Sequence, residues 1–300
     1  MFKEKLTVVI PTKDRPKEIL RLLENISLQE VKPSQIIIVD GGKNTVQGAL
    51  KNFPDLKIDY ARQEIASLTA QRNAGVRRVM DEATLVGFFD DDIILKQGSL
   101  GNMMKFWETA SADTGGAAFN ILDRLHEKRY KRYFFQKLFL VNAEEPSAIL
   151  PSGFQSRFST QDKTSPVGWL PGCAMVWRKE VFGQFTFDER FEGYARYEEV
   201  DFSYRVGKNY KMFIVADAKI EHLAPPEDIE LSKKLGKMQI ANRLYFAKKN
   251  KGLSVSLCMW ACLWLFINNV RRSLFTRDRI RYARKARGNI DGFLAFMRGR

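Results

Sequence analysis

The chain has 300 residues, of which 45% are hydrophobic and 28% are charged, a composition typical of a globular protein with one large core or two smaller ones. Its three cysteines have neither metal-ligand spacing nor the even number of a disulfide framework, and Met1 leads directly into a strand pattern. We therefore expect neither a disulfide-stapled domain nor a secretory signal peptide, and we predict a cytoplasmic protein.

The formal net charge of +14 is distributed unevenly along the chain. Residues 231–300 contain 17 Lys and Arg against 2 Asp and Glu, a balance of +15, whereas residues 1–230 contain 32 against 33, a balance of −1. The charge therefore belongs to a basic tail. Such a tail suits nucleic acid, an anionic membrane or an acidic partner.

The first ninety residues alternate between strand and helix patterns. Apolar runs predict strands at 6–10, 35–39, 57–60 and 84–89, and amphipathic spacing predicts helices after Pro16, around 45–53 and around 68–80. This alternation implies right-handed crossovers and an α/β fold with a doubly wound, mostly parallel sheet. Ligands bind such sheets beyond the carboxyl ends of the strands.

Three polar segments follow strands and should meet at that edge: Pro11–Arg15, Asp40-Gly41-Gly42 and Asp90-Asp91-Asp92. No G-x-G-x-x-G dinucleotide fingerprint is present. Taken alone, Asp40 and its glycines favour an ordinary tight turn. The three adjacent acids have two interpretations, a Mg²⁺ or Mn²⁺ site and a solvated acidic turn that caps the next helix.

The second half of the chain is less regular. Residues 123–166 lose clear periodicity, as a substrate-binding loop or a disordered segment would. A glycine-punctuated turn then leads into a strand near 172–178, and Glu198-Glu199-Val200-Asp201 opens a helix, where acids also have a simple capping role. A strand at 212–215 precedes His222, and a lone histidine is more often structural than a ligand.

In this order, the motifs resemble those of a family 2 glycosyltransferase of the GT-A fold, over roughly residues 5–225. The segments that carry the resemblance are Val8-Val9-Ile10-Pro11-Thr12 with Arg15, Ile38-Val39-Asp40, Gln71-Arg72-Asn73-Ala74-Gly75, Phe89-Asp90-Asp91-Asp92, Gly172 with Arg178, Glu198-Glu199-Val200-Asp201, and His222. The chain departs from the family pattern at Gly41, where a second acid is usual, and at Glu199, where aspartate is common.

The resemblance implies inverting transfer of a sugar from a nucleoside diphosphate sugar to a hydroxyl acceptor, with Mn²⁺ or Mg²⁺ as cofactor. Asp92 and His222 would be metal ligands, and Asp90 would contact the ribose or the metal's water shell. Glu199 would be the general base, with Glu198 as the alternative. The donor would be lined by Pro11, Thr12, Asp14, Arg15, Asp40, Gly41, Arg72, Asp90 and Asp91, and the acceptor by Trp169, Gly172 and Arg178.

We expect a GT-A catalytic domain at 1–225, with donor binding at about 1–120 and acceptor binding at about 121–225, and a helical tail at 226–300. Residues 253–270 carry no charge and are flanked by basic residues on both sides. Basic residues on both sides favour a helix that lies on an anionic membrane surface over a helix that spans the membrane. The alternative is a helix buried in the protein. We expect residues 253–300 to hold the enzyme on the inner face of the cell membrane, near a glycan or lipid-linked acceptor.

Two other classes of protein compete with this interpretation. A metal-dependent nucleotidyltransferase would also use paired acids, but gives no reason for the Glu198–Asp201 segment beside a late histidine. A nucleic-acid binder would use the basic tail, but an acidic strand end would repel phosphate. We therefore expect no nucleic-acid partner.

Overall fold

The computed structural model describes residues 2–122, 133–143, 145, 147–156, 160–223 and 228–299. Much of the irregular segment predicted between 123 and 166 therefore lies outside the described residues. The chain forms two units, Met1–Leu125 with Ser159–Ala224, and His126–Phe158 with Pro225–Arg300. The segment around 133–156 therefore belongs to the same unit as the C-terminal helices.

The secondary structure follows the predicted alternation. The strands are β1 Leu6–Thr12, β2 Gln35–Asp40, β3 Ile58–Arg62, β4 Leu85–Phe89, β5 Ile93–Leu95, β6 Thr114–Ile121, β7 Ser165–Pro166, β8 Ala174–Arg178 and β9 Lys211–His222. The α-helices are α1 Pro16–Ser27, α2 Leu68–Val76, α3 Ser99–Thr109, α4 Tyr133–Leu138, α5 Glu198–Val206, α6 Ser232–Lys249, α7 Val255–Phe275 and α8 Arg279–Met297. Short 3₁₀ helices span Gln47–Asn52 and Lys179–Gly183.

The first unit contains one sheet with the strand order β3-β2-β1-β4-β8-β6-β9-β5, and β7 pairs with β9. Strands β1 to β4 are parallel to one another, and β6 is parallel to β9. Strand β8 runs antiparallel between β4 and β6. The α/β class and the parallel N-terminal half predicted from the sequence are confirmed.

Strand periodicity sorts apolar side chains onto the two faces of this sheet. Ile36 and Ile38 pack into one core cluster, and Ile37 and Val39 pack into the other. Because successive side chains point to opposite faces, an unbroken apolar run such as β2 is stable only when both faces are covered. The buried face of α1 covers the first cluster through Ile19, Leu22, Leu23 and Ile26.

Three element boundaries differ from the predicted ones. Strand β1 continues through Pro11 to Thr12, which is tolerated because its pairing with β4 ends at Val9 and only β2 is adjacent there. The helix predicted near 45–53 is a 3₁₀ helix. Helix α2 ends at Val76 and not near 80, since Gly75 weakens its last turn.

The second unit is built from α6, α7 and α8 together with the segment that contains α4. Its core includes Leu150, Phe154, Ile240, Leu244 and Cys258. Helices α6 and α8 approach closely at Gly288, where an added Cβ would lie 2.0 Å from the carbonyl oxygen of Lys233. Across this unit, Asn289 donates to the Gly236 carbonyl at 2.7 Å. The predicted helical C-terminal region is confirmed.

Among the described residues, none of the helices combines the length and the apolar character needed to cross a membrane.

Candidate active site at the carboxyl ends of the parallel strands

The end of β4 and the end of β9 bring three metal-ligating groups together. One ligand atom from each of Asp90, Asp92 and His222 lies within 4.8 Å of the others. His222 Nε2 lies 3.1 Å from Asp92 Oδ1. The long strand β9 explains how a histidine 130 residues away reaches the acids, because its last residue pairs with Ile93, immediately after them.

The donor set of this cluster fits a hard divalent cation. One ligand atom from each of the three residues lies within 4.8 Å of the others, so one ion could contact all three. The two carboxylates are the oxygen donors that Mn²⁺ and Mg²⁺ prefer, and the cluster contains no sulfur ligand that would favour a softer ion. The residues present therefore fit the ion that the resemblance implies.

Electrostatics distinguish the three adjacent acids. Burial raises the pKa of Asp90 to about 6, against the opposing effect of Arg72. Burial likewise raises the pKa of Asp91. For Asp92 the burial penalty is outweighed by His222 and Arg15, so its pKa lies below the usual value. Asp92 is therefore the acid most readily ionised, as a metal ligand must be.

Arg15 lies beside the acids and neutralises part of their charge. Its Nη1 is 2.7 Å from Asp91 Oδ1 and 3.1 Å from Asp92 Oδ2. Thr12 Oγ1 donates to the other oxygen of Asp91 at 2.7 Å. The predicted nucleotide loop and the acidic strand end are thus in direct contact, as the parallel-sheet argument requires.

Arg72 connects three separate segments of the first unit. Its side chain is 1% exposed and forms an ion pair with Glu198, whose side chain is 2% exposed. Its Nη2 donates to the Gly172 carbonyl at 2.8 Å and lies 3.5 Å from Asp90 Oδ1. Arg72 was predicted to line the nucleotide. Its buried position makes it a residue that holds the surrounding segments in place, and contact with a nucleotide stays a prediction.

Helix α5 begins with the two candidate base residues. Burial raises the pKa of Glu198, and the adjacent guanidinium of Arg72 opposes this rise through their ion pair. Glu199 is partly exposed and lies next to Gly172. A Cβ added to Gly172 would be 3.3 Å from the Cβ of Glu199. The two buried residues that precede the helix, Ala195 and Tyr197, have φ values of 45° and 87°. Backbone strain of this kind concentrates at functional sites.

Asp40 is enclosed by its own turn. Its side chain is 1% exposed, with Oδ1 accepting from the Gly42 N–H at 2.7 Å and Oδ2 from the Tyr60 hydroxyl at 2.7 Å. Gly41 N–H donates to the Thr12 carbonyl, which ties this turn to β1. Asp14, with φ of 54°, accepts from two backbone N–H groups at 43 and 44. The nucleotide assignments of Asp40 and Asp14 stay predictions.

The three predicted acceptor residues do not lie together. Gly172 adjoins Arg72 and Glu199, and Trp169, three residues earlier, is 8% exposed. Arg178 lies at the other end of β8, because β8 is antiparallel to β4 and pairs Ala174 with Phe89 but Arg178 with Leu85. Its guanidinium donates to the Thr114 carbonyl at 2.9 Å. The structure therefore does not bring Arg178 together with Gly172, and its assignment to the acceptor stays a prediction.

Two buried polar residues of α2 were not predicted as part of the site. Gln71 Nε2 donates to the carbonyls of Thr12 and Val39, at 2.9 and 2.7 Å, and so joins the ends of β1 and β2. Asn73 both donates to and accepts from the backbone of Phe187. The sequence feature that indicates them is the polar run Gln71-Arg72-Asn73, because it lies in a helix that must cover an apolar sheet.

Two acids and a histidine at the carboxyl ends of a parallel sheet, beside a helix that opens with carboxylates, define the candidate active site of an α/β enzyme. The model of the family described as Glycosyl transferase family 2 matches residues 7–182, more than half of the chain. The chain belongs to this family and is thereby placed among the transferases.

Curated relatives agree with this assignment. The uncharacterized glycosyltransferase YwdF of Bacillus subtilis is 30% identical over 165 residues, which cover 53% of this chain and 60% of that protein. The N-acetylglucosaminyl-diphospho-decaprenol L-rhamnosyltransferase of Mycobacterium tuberculosis is 25% identical over 234 residues, which cover 72% of this chain and 75% of that protein. The chain thus spans less than two thirds of the first relative's length.

Among solved structures, a mannosyltransferase from Pyrobaculum calidifontis in complex with GDP-Man and Mn²⁺ superposes with a TM-score of 0.60. The match covers 98% of this chain and 88% of that one, at 12% sequence identity. At this identity the similarity concerns the fold, and it confirms the GT-A type predicted from the motifs.

Proposed function

We propose that this protein is an inverting glycosyltransferase that moves a sugar from a nucleoside diphosphate sugar to a hydroxyl acceptor. The observation that carries the proposal is the cluster of Asp90, Asp92 and His222 in a family 2 chain, with Glu199 near the same strand ends. A nucleotidyltransferase would need the same acids but no carboxylate helix beside them, and family membership disfavours it.

Asp92 and His222 would hold Mn²⁺ or Mg²⁺, and Asp90 would contact the ion's water shell or the ribose. When bound, such an ion neutralises the charge that develops on a departing diphosphate. Arg15, with a raised pKa in contact with Asp91 and Asp92, stays cationic and adds positive charge at the same edge. The Pyrobaculum mannosyltransferase structure contains Mn²⁺, which supports this choice of ion.

Glu199 would accept the proton of the attacking hydroxyl. Glu198 is the less suitable base because it is buried and forms an ion pair with Arg72. Glu199 is the next residue along the helix, partly exposed, and adjoins Gly172. A positioned general base contributes typically ~10²–10⁴-fold to such a step.

Pro11, Thr12, Asp14 and Arg15 would line the nucleotide, since they form the end of β1 and the loop that contacts the acids. Asp40, Gly41, Arg72 and Asp91 would be further nucleotide contacts, and their hydrogen bonds to neighbouring segments hold this edge of the sheet together. Trp169 and Gly172 would face the acceptor.

The acceptor would be a glycan or lipid-linked glycan at a membrane. The name of the mycobacterial relative contains a decaprenyl-linked sugar, which supports a lipid-linked acceptor. The +15 balance of residues 231–300 supports association of residues 253–300 with the anionic inner face of the cell membrane.

The first test is a thermal-shift panel of nucleoside diphosphates with and without Mn²⁺. Ligand binding to the folded protein raises its melting temperature, so at least one diphosphate should stabilise the wild type in the presence of Mn²⁺. Asp92→Ala should lose this stabilisation while melting normally without ligand. Stabilisation by a nucleoside triphosphate alone, followed by pyrophosphate release, would favour the nucleotidyltransferase instead.

A further inference from the structure

Helix α7 is apolar on both sides, but only one side packs into the core of the second unit. Cys258, Ala261 and Cys262 point into the core of the second unit. Apolar residues also occupy the sides of the helix that face away from this core. Five of them are between 36% and 42% exposed, namely Leu257, Met259, Trp260, Leu263 and Ile267, and Leu274 and Phe275 in the last turn are 59% and 76% exposed.

Helix α4 enlarges this exposed surface. Phe135 and Leu138 are 51% and 53% exposed. The rings of Phe139 and Trp260 stack with centroids 4.5 Å apart, and those of Phe135 and Trp264 stack at 6.0 Å. We name a set of seven exposed residues of the two helices the α4–α7 apolar face: Phe135, Leu138, Leu257, Met259, Trp260, Leu263 and Ile267.

The indole N–H of Trp260 is paired within this face. Trp260 Nε1 donates to the Leu138 carbonyl at 3.1 Å. That carbonyl ends the short helix α4, where the last carbonyls have no partner within the helix. The single bond satisfies both groups, so the indole can enter a medium without water and leave no unsatisfied donor.

The charge around the α4–α7 apolar face indicates which kind of partner binds it. Residues 231–277 contain no Asp or Glu and ten Lys or Arg. Lys251 precedes α7 and Arg271 lies on the exposed side of its last turns, and both are exposed. Two copies of this surface would bring like charges together, which disfavours self-association. Aromatic and aliphatic side chains bordered by cations suit an anionic lipid interface.

We propose that the α4–α7 apolar face is the surface that docks onto an anionic phospholipid interface, with Trp260 and Leu263 inserted below the headgroups. This deepens the membrane association proposed for residues 253–300, on which it rests. The proposed contact includes the mid-chain helix α4. Helix α8, which is basic and less apolar, would contribute to membrane binding only through its charge.

The test uses the full-length protein in EDTA, so that neither donor nor metal affects the result. Cosedimentation is measured with phosphatidylcholine vesicles that contain zero or about 30% phosphatidylglycerol, where each basic residue near the surface contributes about 1 kcal/mol. The variant Leu263→Gln/Ile267→Gln changes the face without changing charge. The matched control is Ile290→Gln/Leu294→Gln, whose positions on α8 are 47% and 46% exposed.

We expect the wild type to bind the anionic vesicles and the α8 control to bind alike, whereas the α7 variant binds at least about tenfold more weakly, or 1.4 kcal/mol. Lipids brominated on the acyl chains should quench wild-type tryptophan fluorescence, and Trp260→Phe should remove most of this quenching. Phe135→Gln/Leu138→Gln should weaken binding in the same way as the α7 variant.

Equal binding by the α7 and α8 variants would overturn the assignment of the face while leaving a membrane-bound tail. Absence of wild-type binding would overturn both. If the wild type forms a dimer that the α7 variant abolishes, the face is an interface between copies of the chain and the proposal is wrong. None of these outcomes depends on glycosyl transfer.

Discussion

The buried ion pair between Arg72 and Glu198 leads to an asymmetric prediction for protein stability. Both side chains are almost fully buried, at 1% and 2% exposure. Glu198→Met leaves a buried guanidinium that cannot lose its proton, and the remaining acids that act on it are Asp90, at 3.5 Å, and Glu199. Breaking a buried pair in this way costs about 3–5 kcal/mol.

The reverse substitution should cost less. Arg72→Met leaves Glu198 without the guanidinium that lowers its pKa, so burial raises that pKa further. That carboxyl can therefore take up a proton at pH 7 and avoid remaining as a buried charge. The principal loss is then the partner of the Gly172 carbonyl, at 2.8 Å, which we expect to cost about 1–3 kcal/mol. The double variant should cost less than the sum, because it removes both charges.

Thermal unfolding of the three variants at pH 7 measures these differences. For a unit of this size each kcal/mol shifts the melting temperature by about 2–4 °C, so a 4 kcal/mol loss lowers it by roughly 8–16 °C. The reasoning is refuted if Glu198→Met costs under about 1 kcal/mol, if Arg72→Met costs more than Glu198→Met, or if the two single effects add.

The remaining predictions concern the metal, the base and the sheet packing. Asp92→Ala should abolish Mn²⁺-dependent transfer with a normal melting temperature, and retained metal-dependent turnover would remove Asp92 from the ligands. Glu199→Gln should keep diphosphate binding, measured by thermal shift, and should lower turnover by the ~10²–10⁴-fold that a general base contributes. If Glu198→Gln loses turnover and Glu199→Gln does not, the base is Glu198. Gly75→Ala should destabilise the protein by about 1–3 kcal/mol, because the added Cβ would lie 2.3 Å from the Val9 side chain of β1. The matched control Gly48→Ala has open space around it and should not destabilise the protein. Equal melting temperatures for the two variants would contradict the close packing at Gly75.

The sequence alone determined the class of the fold and the location of the acids. A strand buried on both faces requires an unbroken apolar run, and β2 shows one. The acids after β4 had to emerge at the carboxyl edge, because three adjacent carboxylates cannot follow the strand into the core. These inferences rest on local periodicity and solvation, which a sequence displays directly.

Contacts between distant segments were decided by the tertiary structure. Arg72 was predicted as a nucleotide ligand from its motif, but its burial against Glu198 depends on where α5 packs, 126 residues away. Arg178 was assigned to the acceptor from the family resemblance, together with Gly172, and the antiparallel direction of β8 places it at the opposite end of that strand. Likewise, no local pattern shows that the segment containing α4 packs on α7. Strand direction and helix pairing are set by the burial of the whole core, so residues that are close in sequence can lie far apart and residues distant in sequence can form one site.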